Sequence, residues 1–199
     1  MSRRPRTTDT PRQTQGRRRR LEAAALRLFT ERGFHDTSID DIVAAARTSK
    51  SAFYVHFRSK EDCFRSLLER EGGALMAAAD RAARGAGEGH RAHLRGGIHG
   101  FVRCCLDQAA VARLLLVESV GLSPGIEAVR ARLHGDFARN VEAEVRRGQT
   151  VGEFLDADAS VFGRAVVGAV NEVVAGALAS DADEAPEALA AELCRIFGV

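Results

Sequence analysis

The stretch from Thr37 to Lys60 constrains this chain more than any other: Thr-Ser-Ile-Asp-Asp-Ile-Val-Ala-Ala-Ala-Arg-Thr-Ser-Lys-Ser-Ala-Phe-Tyr-Val-His-Phe-Arg-Ser-Lys. Its hydroxyl side chains fall where helices begin. Ser38 stands three residues before Asp41, the spacing of a capping box, with Ile39 and Ile42 supplying the apolar side of the helix that follows. Ser49, or Thr48 beside it, can cap a second short helix, and Ser59 opens a third with Asp62 three residues on. Within the second helix Phe53 and Phe57, four apart, make an apolar face, which leaves Lys50, Ser51, Tyr54 and His56 on the other. A cation, a hydroxyl, an aromatic and an imidazole on one short helix equip it to enter a DNA major groove. They equally describe a solvated polar face.

Charge bears on that choice. The net charge of +2 hides a division: residues 1–60 hold 14 Arg and Lys against 6 Asp and Glu, a net +8, and the rest hold 15 against 21, a net −6. A basic amino-terminal third on an acidic body confines attraction for phosphates to one end. Residues 1–16, with Pro5, Pro11 and several Thr and Arg, read as a basic flexible arm. Arg3, Arg4, Arg6, Arg12 and the run Arg17–Arg20 can follow DNA phosphates or a minor groove, or simply solubilise the chain. Leu21, Ala25, Leu28 and Phe29 then recur at helical spacing, and Gly33 is a carboxyl-terminal stop, so a first helix is expected over about 16–32.

The pattern Leu-Phe-x-Glu-x-Gly-Phe (Leu28 to Phe34), Thr-Ser-Ile-Asp-Asp-Ile (Thr37 to Ile42) and Ser-Lys-Ser-Ala-Phe-Tyr-Val-His-Phe-x-Ser-Lys-Glu-Asp (Ser49 to Asp62) resembles the TetR family of transcriptional regulators. The resemblance implies a helix-turn-helix domain over 17–64, with Lys50 and Ser51 at base edges or phosphates and Tyr54 and His56 touching backbone or bases. It implies that Thr37, Ser38 and Lys60 hold phosphates; Arg17 and Arg18 join the set from the basic run. Three positions depart from the family pattern. Val43 replaces a small Ala, Arg47 a Gly and Thr48 an apolar residue. Arg47 thereby places an extra cation near the DNA, and if its position is left-handed it costs about 1–2 kcal/mol relative to Gly.

Beyond the third helix start, the apolar spacing predicts helices over about 59–84, 89–107, 109–120, 125–148, 157–179 and 184–197. Strand formers are sparse, so the expected fold is all-α: a three-helix amino-terminal domain and a larger helical domain over 65–199. The helix at 157–179 is apolar nearly all round. Pairing it and the last helix with their copies would bury what one subunit cannot, and the family resemblance implies that homodimer. The same resemblance implies a small-molecule effector pocket in the body. Candidates to line it are Phe101, Cys105, Glu118, Phe137, Asn140 and Asn171, the polar ones because they interrupt apolar faces; the alternative is a structural pair or a core position.

No nucleophile elbow, P-loop, dinucleotide-binding glycine pattern or metal-ligand spacing occurs, and the six His are scattered, so no enzyme, cofactor or metal is expected. Cys63, Cys104, Cys105 and Cys194 read as reduced thiols of a cytoplasmic protein. The basic start lacks the apolar run of a signal peptide, and Arg164, Asn171 and Glu172 interrupt the most apolar segment, against a membrane span. The expected function is a DNA-binding transcriptional regulator, a repressor released from a palindromic operator by a small molecule. The rivals are a non-specific DNA-coating architectural protein and an interaction module without DNA binding.

Overall fold

The computed structural model describes residues 11–180 and 185–199. Among them are nine α-helices and no strand. The chain divides into two compact units, one up to Phe64 and one from Arg65 onward.

The first unit contains α1 (Pro11–Arg32), α2 (Ile39–Ala45), α3 (Lys50–His56) and the start of α4 (Lys60–Arg84). The arm expected over 1–16 is thus helical from residue 11, while residues 1–10 lie outside the described residues. A proline is tolerated in a first helical turn, where no backbone donor is needed, and Arg12, Gln13 and Gln15 are good helix formers. Gly33, at φ +84, ends α1 as its amide reaches the Phe29 carbonyl at 3.0 Å. Phe29, Phe34 and Phe64 then form a ring cluster with centroids 5.2–5.6 Å apart, and Phe53 and Phe57 are buried beside Leu21, Leu28 and Ile42 in the unit's core.

The caps read from the sequence are formed. The Asp41 amide donates to Ser38 Oγ at 3.1 Å while the Ser38 amide donates to Asp41 Oδ2 at 2.9 Å, a complete capping box. Ser49 Oγ accepts from the Ala52 amide at 3.2 Å and Ser59 Oγ from the Asp62 amide at 3.0 Å. Between α2 and α3 the Thr48 amide donates to the Val43 carbonyl and the Arg47 amide to that of Ala44, a Schellman motif whose left-handed residue is Arg47, at φ +50.

The second unit continues α4 and adds α5 (His90–Asp107), α6 (Ala109–Arg113), α7 (Pro124–Thr150), α8 (Ala159–Ala179) and α9 (Pro186–Phe197). After α6 the backbone widens into a π-helical stretch, Leu114–Glu118. α8 packs along α7 and α9 along α5. Glycines admit close approaches. A Cβ on Gly163 would lie 2.6 Å from the Ala138 carbonyl oxygen, and one on Gly72, which composition alone reads as a weak point of α4, would lie 2.7 Å from Leu133. The helix Ala159–Ala179 is long and apolar enough to cross a membrane by length and composition. Here one face of it, with Val166, Val170 and Val174, is buried within the unit.

Two substitutions follow from this geometry. Gly163→Ala should lower stability by about 1–3 kcal/mol, because the methyl meets backbone rather than a movable side chain, whereas Gly73→Ala, with open space at the Cβ position, should raise it by about 0.5–1 kcal/mol. Urea midpoints of the two variants check both signs. Arg47→Gly should also stabilise the protein, by up to about 1 kcal/mol, as relief of the left-handed penalty exceeds the added freedom of the unfolded chain; a lowered midpoint would contradict the strain assigned to this turn.

Candidate nucleic-acid interface and ligand cleft

α3 is held from behind by Phe53 and Phe57, both buried, and its outer face carries Lys50, Ser51, Tyr54 and Val55. Tyr54 is 52% exposed, its ring set edge-on to Phe53 at 5.6 Å, and Val55 is 73% exposed. Lys50 Nζ reaches Asp40 Oδ2 of α2 at 3.0 Å, and Ser51 Oγ lies 2.9 Å from Ser49 Oγ. His56 is half-buried, a helical step off that face. Val55, an apolar group suited to a thymine methyl, is absent from the set read off the sequence. It is recoverable there, because Ser51, Tyr54 and Val55 have i, i+3, i+4 spacing and share one side of the helix. Arg47 is exposed at the turn and lines a shallow groove with Arg20 and Arg27, so three guanidinium groups border one surface of the unit.

Three residues expected at phosphates also make contacts within the unit. Thr37 is 1% exposed and its hydroxyl donates to the Gly33 carbonyl at 2.8 Å, closing the end of α1. Lys60 Nζ donates to the carbonyls of Phe34 (2.6 Å), Thr37 (2.7 Å) and His35 (3.3 Å) and sits over the Phe34 ring, so the ammonium clips the loop between α1 and α2. Partial burial pulls its pKa below the usual lysine range, with Asp36 opposing. Arg18 binds the buried Glu22 carboxylate at 2.9 Å and lies 5.2 Å over the Phe57 ring. Each cation or hydroxyl is drawn inward because the loop carbonyls and a buried carboxylate need a donor. Ser38 remains exposed as the cap of α2, and Arg17 is half-buried on α1.

In the second unit a cleft of about 380 Å³ has an apolar floor of Leu94, Ile98, Phe137 and Val141 and a polar rim that includes Asp80, His93, Asn140, Glu144 and Arg147. A second space, of only about 20 Å³, is lined by Phe101, Cys105, Phe137 and Asn171 with His134. The six ligand candidates are therefore divided: Phe137 and Asn140 border the larger cleft, Phe101, Cys105, Phe137 and Asn171 the smaller, and Glu118 neither. The π-helical stretch explains Glu118. Its wider turn shifts the register after Leu114, so that Ser119, fully buried with its hydroxyl 2.6 Å from the Leu115 carbonyl, takes the inward position instead. Burial pushes the Cys105 thiol up to about 12, making it a core thiol. Asn171 lies 3.4 Å from the His134 ring, which burial, aided by Arg130, holds below the usual imidazole range.

The histidines are not all scattered. His90 Nδ1 and His93 Nδ1, one turn apart on α5, lie 2.7 and 3.0 Å from the same oxygen, Oε1 of Glu144 on α7, while Arg147 pairs with Oε2. Burial opposes ionisation of Glu144, but the hydrogen bonds from His90, Arg147 and His93 outweigh it and bring its pKa below the usual carboxylate range. The i, i+3 histidine pair is visible in the sequence. Its partner, more than fifty residues away, is not.

Comparison with known proteins places this geometry. YdgC of Bacillus subtilis (strain 168), an uncharacterized HTH-type transcriptional regulator, is 43% identical over 51 residues, 26% of each chain, so the chain spans about a quarter of that relative's length. Among solved structures, the transcriptional regulator FadR from Bacillus subtilis in complex with stearoyl-CoA superposes with a TM-score of 0.82 at 16% identity, covering 90% of this chain and 96% of that one. The TetR family transcriptional regulator PfmR from Thermus thermophilus gives 0.75 at 28% identity, covering 90% and 96%. Residues 21–67 match the model described as bacterial regulatory proteins, tetR family, and residues 87–175 the model described as the tetracyclin repressor-like C-terminal domain. Matched in this way in both units, the chain belongs to the TetR family.

Proposed function

We propose that this protein is a homodimeric transcriptional repressor of the cytoplasm that binds a palindromic DNA operator through α3 and is released by a small molecule held in the cleft of the second unit. The observation that carries this reading is the outer face of α3: Lys50, Ser51, Tyr54 and Val55 exposed on a helix whose two ends are capped and whose back is fixed by buried phenylalanines. Such a face offers hydrogen-bonding and apolar groups to base edges, and Arg47 with Arg20 adds phosphate contacts at its side. The rival of a DNA-coating protein explains the charge but not an exposed Tyr and Val presented side by side. Catalysis forms no part of the reading.

The cleft, at about 380 Å³, falls within the range of small-molecule sites, roughly 300–1,000 Å³. Its apolar floor and charged rim suit an amphipathic acid or acyl group, in keeping with the stearoyl-CoA bound by FadR. Differential affinity of that ligand for two arrangements of the dimer would shift the population away from the DNA-binding one.

Replacing Lys50 and Tyr54 together by Ala should weaken operator binding by about 1–3 kcal/mol for each of the two side chains while leaving the melting temperature nearly unchanged. Asp40→Asn should tighten binding, since it frees Lys50 and removes a negative charge. Fluorescence anisotropy on an operator selected from bound genomic fragments, against scrambled DNA over a salt series, reads both; equal affinity for the two DNAs would establish the coating protein instead.

For the dimer, the support is apolar surface left uncovered on the last two helices, with Val161 52% and Ile196 66% exposed. A Val161→Asp, Ile196→Asp variant should sediment as a monomer where the unmodified chain sediments at twice its mass. A monomeric unmodified chain at micromolar concentration would remove the dimer from the proposal.

A further inference from the structure

We propose that His90, His93 and Glu144 form a binding site for a divalent transition-metal ion, with zinc the best match to their donor atoms, at the polar end of the cleft. Two imidazole nitrogens and one carboxylate oxygen are a donor set that binds zinc with a fourth position left open. All three donor atoms lie within 4.8 Å of one another, and none of the three residues is fully buried, so an ion can reach them.

The fold prepares this cluster. α5 begins after Gly89, at φ +93, which places His90 and His93 one turn apart on one side of the first turns. Gly148 of α7 admits His90: a Cβ there would stand 3.0 Å from His90 Cβ. The amide of Arg91 donates to Glu153 Oε2 at 2.8 Å and its guanidinium Nε to the Glu153 carbonyl at 2.5 Å, fixing the start of α5 and setting a carboxylate beside the positive helix end that would otherwise repel a cation. Arg147 holds Oε2 of Glu144 and so orients the carboxylate with Oε1 toward the two imidazoles.

The donor spacings fit with small movements. Oε1 lies 2.7 and 3.0 Å from the two nitrogens. Metal bonds of about 2.0–2.1 Å in a tetrahedron require edges of roughly 3.3 Å, so the two oxygen–nitrogen edges open by a few tenths of an ångström as an ion replaces the hydrogen bonds, while the two imidazole nitrogens, within 4.8 Å of each other, adjust to the same edge length. His93 and Glu144 also border the cleft, from whose side a water or an acidic ligand can complete the shell. The Arg147 guanidinium opposes the ion's charge, so the site is expected to bind in the micromolar rather than the nanomolar range.

Equilibrium dialysis of the full chain against zinc, with visible absorption of the cobalt(II)-loaded protein as second readout, tests this without DNA or effector, so its outcome is separate from that of the regulatory reading. One ion per chain is expected, with affinity falling at least about tenfold in His93→Ala and in Glu144→Gln, and a cobalt spectrum without sulfur charge-transfer bands. Unaltered affinity in either variant, with melting curves showing it folded, overturns the site. So does a thiolate charge-transfer band, which would assign the ion to cysteine, or the lack of saturable binding by the unmodified chain. Glu144→Gln keeps the shape of the side chain, so one variant remains interpretable if His93→Ala misfolds.

Discussion

A seven-residue helix is almost all ends. α2 and α3 each contain seven residues, and a helix leaves four amides unpaired at its start and four carbonyls at its finish, so neither could persist on its own backbone hydrogen bonds. Everything that aims α3 outward depends on how those orphan groups are satisfied. The Ser38–Asp41 box and Ser49 supply acceptors for the amides, and the turn through Arg47 returns two amides to the carbonyls of Val43 and Ala44. The same need accounts for Thr37 and Lys60. Both close carbonyls at the end of α1 and in the loop after it, and without those donors the loop would bury polar oxygens at a cost of about 1–3 kcal/mol each. A left-handed arginine persists in such a frame because its penalty is a fraction of ordinary domain stability.

The helices were legible in the sequence because their signals are local. Caps at fixed offsets place the starts of α2 and α3 within a residue, and the body helices from α4 to α9 fall close to their expected spans. The π-helical stretch is not legible, since a widened turn preserves composition while changing which residue faces inward; hence regular helical spacing points to Glu118 where Ser119 is the buried residue. Polar residues were harder than apolar ones for a physical reason. A leucine has one destination, but Lys60 or Arg18 can serve water, DNA, a ring face or a carbonyl, and only the three-dimensional neighbourhood decides. The candidate cleft was half legible on the same terms: Phe137 and Asn140 border it, while His93, Glu144 and Arg147 come together only when α5 meets α7.

Glycine shows the same dependence on neighbours. Gly72 and Gly73 are adjacent in a helix and look alike in sequence, yet a Cβ on the first would collide with Leu133 and one on the second would meet nothing. Propensity treats both as weak points. Packing fills the space over one of them with the Leu133 side chain of α7 and leaves the other a cost without a return. Gly96 and Gly100 repeat the first case on α5, where the space is taken by Ala82 and Ala86.

Charge is the feature in which sequence and structure say different things at different distances. The net +8 of residues 1–60 acts at long range whatever its internal pairing. At contact distance much of it is already engaged: Arg18 with Glu22, Arg27 with Glu31, Lys50 with Asp40, Arg58 with Asp62 and Lys60 with three carbonyls. An engaged cation beside its carboxylate is a dipole whose field falls off faster than that of a lone charge. What a phosphate meets at the surface is therefore set less by the count of arginines than by where Arg20, Arg27 and Arg47 stand, along one groove that includes the left-handed turn.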